Sequence, residues 1–434
     1  ATIGIEINGF KILQDPWLTD GEYYGSWSHY PYFDFKSKLS EINSYDIIYI
    51  SHIHPDHCSD ETMKHIDKSI PVYIHKYHAK FLKLKLERLG FKVIELENGT
   101  RYNLNENVNI SIFAADNCDP ELCYKFTGCA NLNIKGNSQQ IDTLSVIDDN
   151  KNTIMNVNDC PYDLAKSTFQ NIKKQYDKID ILLTGYGGAG PYPQCFDNLN
   201  IKEKEIAANK KQQFFLSQAI KYINELKPHY YLPFAGTYTL TGKLSKLQNL
   251  RGVPSIDFAY NYLEKYFKDR KNSKIIRMNP EDTFDLNTKS TDNSYSKVNI
   301  FEYQEYIKNN LSNKKLIYEN NDEPELDELY ELSKTAFNNF IEKKMLNNIS
   351  LKTEILIDIK NKFIRIPKNT NEINLVNKDE YDYNSKFVIY KTNPKLLKLL
   401  LKGPKYAHWN NAEIGSHINF FRKPNVFERE VYIS

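Results

Sequence analysis

Ser51-His52-Ile53-His54-Pro55-Asp56-His57 is the stretch on which the reading of this chain turns. It follows the run Asp46-Ile47-Ile48-Tyr49-Ile50, which reads as a buried strand, and it leads into a helix-like segment from about Ser59. Three imidazoles and one carboxylate fall between positions 52 and 57. Each can bind a divalent metal. Alternate side chains of an extended segment share a face, so His52 and His54 point to one side. Asp56 and His57 reach a second position as the chain turns. With only 10 histidines in 434 residues, three in this pattern point to a metal site rather than a chance polar loop.

The length allows two or three domains. Lys and Arg number 57 against 55 Asp and Glu, a net charge of +2, so no global field points to nucleic acid or an anionic membrane. The Lys80–Arg88 cluster reads as a solvated helix face. No apolar run approaches the roughly 20 residues of a membrane span, and no secretory pattern is present. The chain opens on a strand without Met, which leaves room for residues before Ala1. Its cysteines (Cys58, Cys118, Cys123, Cys129, Cys160, Cys195) form no Cys-x-x-Cys pair, so reduced thiols in a cytoplasmic protein are expected. Cys118, Cys123 and Cys129 are loosely grouped, and an iron–sulfur or zinc knot is the alternative reading there.

Upstream of the histidines, Asn8-Gly9 between two apolar runs signals a hairpin, and Asp15-Pro16-Trp17-Leu18 ends its second strand. The Tyr23–Phe35 stretch is either an aromatic lid over a sheet end or a substrate wall carrying Tyr23 and Trp27. Downstream, Glu61–Ile66 reads as a helix and Pro71–Ile74 as a strand. His75–Leu89 reads as a helix ended by Gly90, and Phe91–Leu96 as the next strand. This alternation favours a layered α/β domain. His65, His75 and His78 read as surface or core histidines on these elements. Residues 97–141 look β-rich with an inserted loop. Ile141–Ile147 and Thr153–Val157 are expected strands. The second delivers Asp159 to its end, as a site carboxylate or as the N-cap of a helix at Tyr162–Tyr176. Ile179–Thr184 leads into Gly185-Tyr186-Gly187-Gly188-Ala189-Gly190-Pro191-Tyr192, where glycines permit close backbone approach to a ligand. It is no P-loop, because no Gly-Lys-Ser/Thr follows. Lys204–Leu226 reads as a long helix stopped by Pro228. An Asn/Ser/Asp-rich stretch at about 280–298 reads as a linker. The division is therefore a metal-binding domain over 1–280 and a small α+β domain over 281–434. In the latter, His408–Gly415 reads as a polar interface loop beside Trp409.

The His-x-His-x-Asp-His arrangement, behind a hydrophobic strand and a hairpin ending in Asp-Pro-Trp, resembles the metallo-β-lactamase superfamily. A closer likeness is to the lactamase-like part of the CMP-N-acetylneuraminate hydroxylases. It rests on Ile48–His57, Ile141-Asp142-Thr143, Val157–Cys160, Gly187–Pro193 and Pro233-Phe234-Ala235-Gly236, over most of residues 1–260, and more faintly on Ala412–Gly415. The last part also resembles a sterol-carrier-like domain. The superfamily likeness implies an αββα sandwich with one or two metals at the strand ends. It implies His52 and His54 on the first metal, Asp56 and His57 on the second, and Asp159 as the bridging carboxylate. Two further histidines of the superfamily pattern have no counterpart. Asp116, Asn117 or Asp142 stands in the first region, and His229 would face the wrong end of its strand. A carboxylate-rich site suits iron or manganese as well as zinc. The Cys-x-His and Cys-x-x-His ligands of the hydroxylases' Rieske domain do not occur in this chain.

Three functions are compatible with these residues. The first is a metal-dependent hydrolase of a small anionic substrate, such as a sugar or nucleotide-sugar. In it one or two divalent ions activate water, Asp56 and Asp159 are the catalytic carboxylates, and Asp142 is a further ligand. The Gly187-Gly188 backbone, Tyr23, Trp27 and Tyr192 would line the pocket. The second is an iron-dependent oxygenase with a separate electron-transfer partner. The third is a non-catalytic metal-binding scaffold.

Overall fold

The computed structural model describes residues 2–114, 142–270, 272–346, 350–368, 372–426, 428 and 431. Cys118, Cys123 and Cys129, with Asp116 and Asn117, lie outside the described residues. The hairpin forms as its turn residues dictate. Ile7 pairs with Phe10, and Asn8 and Gly9 take φ values of 51° and 76°, the left-handed pair of a type I′ turn.

Two sheets face each other. The first contains, in spatial order, β1 (Ile3–Ile7), β2 (Phe10–Gln14), β4 (Ile47–Ile50), β5 (Val72–His75) and β6 (Val93–Leu96). Only the β1–β2 pair is antiparallel. The short β3 (Trp27–Ser28) pairs elsewhere, with β13 (Thr239–Leu240). The second sheet runs β14 (Lys274–Ile275), β12 (Tyr230–Phe234), β11 (Ile181–Gly185), β10 (Thr153–Asn156), β9 (Thr143–Asp148), β8 (Asn109–Ala114), β7 (Arg101–Asn103).

The apolar residues sort into layers because alternate strand side chains point to opposite faces. Ile12, Ile47 and Tyr49 meet Ile110, Ile147, Ile154 and Leu183 between the sheets. On the outer face of the first sheet, Leu13, Ile48 and Ile50 pack on Met63, Leu82 and Leu86 of the helices Asp60–His65 and Phe81–Arg88. On the outer face of the second, Val146, Met155, Leu182 and Tyr231 pack on Phe169, Leu216, Ala219, Ile223 and Leu263 of three further helices. The result is the expected αββα sandwich.

A third sheet, β19 (Asn374–Asn377), β18 (Lys362–Ile366), β17 (Glu354–Ile359), β20 (Phe387–Lys391), β21 (Asn419–Lys423), forms an additional C-terminal α+β unit with the helices Leu326–Leu346 and Pro394–Leu401. Its core is continuous with Trp17, Tyr23, Trp27 and Tyr238. The segment after the glycine loop joins the edge of this sheet. Phe420 N donates to Cys195 O and Asp197 N to Phe420 O, both at 2.8 Å. No helix among the described residues is long and apolar enough to cross a membrane.

Local readings change in three places. His75 belongs to β5, paired with Leu96, and the following helix starts only at Phe81. Sheet pairing satisfies the His75 backbone, so the helix cannot begin there. The helix expected over Tyr162–Tyr176 is two, Tyr162–Ala165 and Thr168–Gln175, with Pro161 rather than Asp159 at the N-cap of the first. The stretch 280–298 carries a small hairpin, β15 (Phe284–Asp285) and β16 (Ser290–Thr291), tied by Asp282 and Asn293.

His417 joins the two ends of the chain. Its Nε2 lies 2.7 Å from the Tyr23 carbonyl and its Nδ1 3.1 Å from the Tyr318 hydroxyl. A neutral ring donating from Nε2 satisfies both. Burial pushes its pKa down from 6.5 to about 4, partly opposed by the Tyr23 carbonyl. The unfolded chain then binds a proton between pH 6.5 and 4 that the folded chain refuses. The stabilisation is complete above pH 6.5 and is lost as pH falls toward 4. Urea unfolding at pH 6.5 and 5 should show the wild type losing about 2 kcal/mol more than His417→Gln. Parallel losses in the two proteins would refute this assignment.

Candidate metal centre

All four residues of β4 are buried, and the chain leaves the sheet at Ser51. The register of β2 on β4 sets Gln14 beside Tyr49, so Asp15 arrives beside Ser51. Asp15 is fully buried. Its Oδ1 accepts from Ser51 N at 2.7 Å, and its Oδ2 accepts from Ser51 Oγ at 2.6 Å and His57 Nδ1 at 2.8 Å. Ser51 Oγ is in turn 2.9 Å from His52 Nδ1. Each of these histidines is therefore held by Nδ1, which leaves Nε2 to face the cleft.

Two donor triads result. His52 Nε2 lies 2.9 Å from His54 Nδ1 and 3.5 Å from Asp142 Oδ1. His57 Nε2 lies 3.5 Å from Asp56 Oδ2 and 3.3 Å from Asp159 Oδ2. Donors on a tetrahedral ion with bonds of about 2.1 Å stand ~3.4 Å apart. The rings of His52 and His57 are 4.1 Å between centroids, so the triads adjoin. Antiparallel pairing of β9 and β10 explains why both carboxylates arrive. Asp142 precedes the first residue of β9, and Asp159 follows the last residues of β10, at the same edge of the sheet.

The donor chemistry suits a divalent cation. His57 Nε2 and Asp142 Oδ1 are buried, with no hydrogen-bond partner among the described residues. Orphaned buried polar atoms are costly unless something satisfies them. The electrostatics agree. Burial, then the Asp159 charge, push the Asp142 carboxyl up to about 7. Burial alone would lower the His57 pKa, yet Asp159, Asp56 and Asp15 hold it well above the usual range. Burial and the neighbouring His57 and His54 hold His52 well below its own. A cluster rich in carboxylates and short of positive charge gains from a bound ion. Asp159 keeps a 39% exposed side chain, so water reaches this side of the cluster.

Around this cluster, the Tyr23 hydroxyl donates to Asp56 Oδ1, and Tyr77 donates to the Ser51 carbonyl at 2.6 Å. The C-terminal unit also reaches in. His408 N donates to Tyr24 Oη at 2.7 Å, and this docks the helix Trp409–Ile414 on the helix Glu22–Gly25. The Asn410 side chain then lies close enough to His54 to favour its protonated form slightly, against the stronger effect of burial.

The structure thus brings His52, His54, Asp56, His57, Asp142 and Asp159 together. His229 pairs instead with Asp180, 2.9 Å away, beside the start of β12. His78 is exposed. Trp27 is buried and stacks on Tyr238 at 3.5 Å, while Tyr192 is 43% exposed. Gly187 and Gly188 are packed tightly. A Cβ on Gly187 would sit 2.3 Å from Gly236 O, and one on Gly188 would sit 1.9 Å from the Phe215 ring. Asp15 and Asn410 were not singled out from sequence. Asp15 carried a signal, an Asp-Pro pair ending the strand before the motif strand, and Asn410 lay within the polar His408–Gly415 stretch, read there as an interface loop.

Residues 1–235 match the model of the β-lactamase superfamily domain. A putative Rieske 2Fe-2S iron–sulfur protein of Mycobacterium tuberculosis is 25% identical over 54% of this chain and 41% of its own length. The cytidine monophosphate-N-acetylneuraminic acid hydroxylase of Danio rerio is 26% identical over 53% of this chain and 35% of its own. The inactive hydroxylase of the same name from Homo sapiens is 25% identical over 68% and 55%. The chain spans about a third to just over half of these relatives' lengths. Its sandwich, its strand-end histidines and the match over residues 1–235 make this chain a member of the β-lactamase superfamily.

Proposed function

We propose that the protein is a metal-dependent hydrolase of a small anionic substrate. The observation that carries this reading is a pair of donor groups that share His52, one with His54 and Asp142 and the other with His57 and Asp159, each including a buried ligand atom without a hydrogen-bond partner among the described residues. His52, His54 and Asp142 would hold one ion, and His57, Asp56 and Asp159 a second. A divalent ion held there supplies Lewis acidity and a water with a pKa near about 7. The chain's own groups do the rest. Asp159, reachable by water, accepts the proton of the attacking water. Asp56 is oriented by the Tyr23 hydroxyl, which donates to its Oδ1. Burial, followed by the Asp56 charge, holds the Tyr23 pKa well above the phenol range, so it remains a donor. Asp15 and Ser51 keep His57 and His52 in one tautomer.

A second reading is an iron-dependent oxygenase fed by a separate electron donor. It is favoured by the names of the relatives, which are hydroxylases and Rieske proteins, and by the carboxylate in each triad.

Three outcomes are expected. Metal analysis of protein purified without added metal should find His54→Ala depleted and His78→Ala fully loaded; full occupancy in both would refute the ligand assignment. Asn410→Ala should bind the metal 10- to 100-fold more weakly in a chelator competition, the usual loss on removing a partner of a metal-bound histidine; unchanged affinity would remove Asn410 from the site. Zinc content with turnover of ester or phosphodiester probes supports hydrolysis. Iron with reductant-dependent oxygen uptake supports the second reading.

A further inference from the structure

Two cations lie under the glycine loop without an acidic partner among the described residues. Arg251 is 5% exposed. Its Nε donates to Gln248 O at 2.9 Å and its Nη1 to Tyr238 O. Its guanidinium stands 4.5 Å over the Tyr238 ring. Lys211, on the helix Ile201–Leu226, sends Nζ to Tyr192 O at 2.9 Å. Gly252, next to Arg251 in the chain, runs close against Lys211, since a Cβ there would meet Lys211 Cδ at 2.9 Å. Lys211 is half-buried, and desolvation with the Arg251 charge lowers the pKa of its ammonium. A buried charge is ordinarily paired, yet Arg251 meets only carbonyl oxygens and a ring face. Carbonyl oxygens from Tyr192, Gln248 and Tyr238 relieve this cost without neutralising it.

Unpartnered donors lie next to this pair. The Tyr238 hydroxyl and Trp27 Nε1 are buried and have no hydrogen-bond partner among the described residues. Their rings are stacked at an interplanar angle of 6°, and Trp27 contacts Tyr23 at 4.4 Å. Tyr23 donates to Asp56. The glycine loop packs close by. Its first residue, Gly185, lies against the Asn158 carbonyl, next to Asp159, and Gly187 packs on Gly236 O and Val253. A continuous run of contacts, Asp56 to Tyr23 to Trp27 to Tyr238 to Arg251, thus joins the carboxylate cluster to the cations.

We infer that Arg251 and Lys211, with the Tyr238 hydroxyl, form a subsite for a carboxylate or phosphate group of the substrate, set apart from the triads. This rests on the reading of the cleft as a substrate site. The planar guanidinium suits either oxyanion.

Titration calorimetry of the full chain with inorganic phosphate and, separately, acetate tests the subsite. Phosphate or acetate should bind the wild type and His54→Ala equally, because the subsite does not use the metal. Binding should weaken at least tenfold in Arg251→Gln and in Lys211→Gln, while Arg251→Lys recovers part of it. Unchanged metal content in Arg251→Gln reports an intact fold; if that variant fails to fold, Lys211→Gln carries the test. Binding of neither anion to the wild type, wild-type binding in both Gln variants, or loss of binding in His54→Ala would overturn the inference. Absence of metal in the wild type would overturn the proposed function while leaving the anion result to stand by itself.

Discussion

One buried carboxylate governs the geometry of the cluster. Asp15 receives three hydrogen bonds, from the Ser51 amide, the Ser51 hydroxyl and His57. A carboxylate stripped of water is tolerated only when its lone pairs are filled in this way. The result ties the end of β2 to the first turn beyond β4. It fixes which ring nitrogen of His57 is free and, through Ser51 Oγ, which nitrogen of His52 is free. The motif histidines can then converge on one cleft instead of fraying into solvent. The polar seam beneath extends this control across the sandwich. Tyr49 Oη meets Thr143 Oγ1 at 2.7 Å, and Asn156 donates to Gln14 at 2.7 Å. These contacts register the two sheets where Asp142 and Asp159 must arrive.

Much of this was legible in the chain, for definable reasons. The run Ile47–Ile50 and the histidines behind it combine a strong strand pattern with residues of unmistakable chemistry. The Asn8-Gly9 hairpin is a local signal, and local signals survive folding. Asp159 was read as a candidate because it sits directly after a strand. Asp142 could not be ranked against Asp116 or His229 by sequence, since chain order does not reveal which sheet edge faces which. His75 was misplaced into a helix because helix-forming residues follow it closely, and only its pairing with Leu96 shows otherwise. Asp15 passed as a strand end, because its role depends on the register of β2 against β4. Asn410 lies far along the chain in a helix of only six residues; its polar stretch marks an interface, and nothing local ties it to the histidines near position 54.

The C-terminal unit is more than an appendage. Its core includes Trp17, Tyr23 and Trp27 from the first part of the chain. Tyr23 contributes its carbonyl to His417 and its hydroxyl to Asp56. A single residue thus serves the join between the two units and the acid cluster at once.

The segment Cys195–Asn198 completes the edge of β21, with Asn198 bonded to Arg422 through both backbone groups at 2.7 and 2.6 Å. An exposed strand edge is a template for pairing with another chain. Cutting the protein between its two units would strip the edge of β21 of these bonds and uncover Phe196, which stacks on Phe420. The segment that follows the glycine loop is therefore also a tether, keeping that edge occupied from within the same chain.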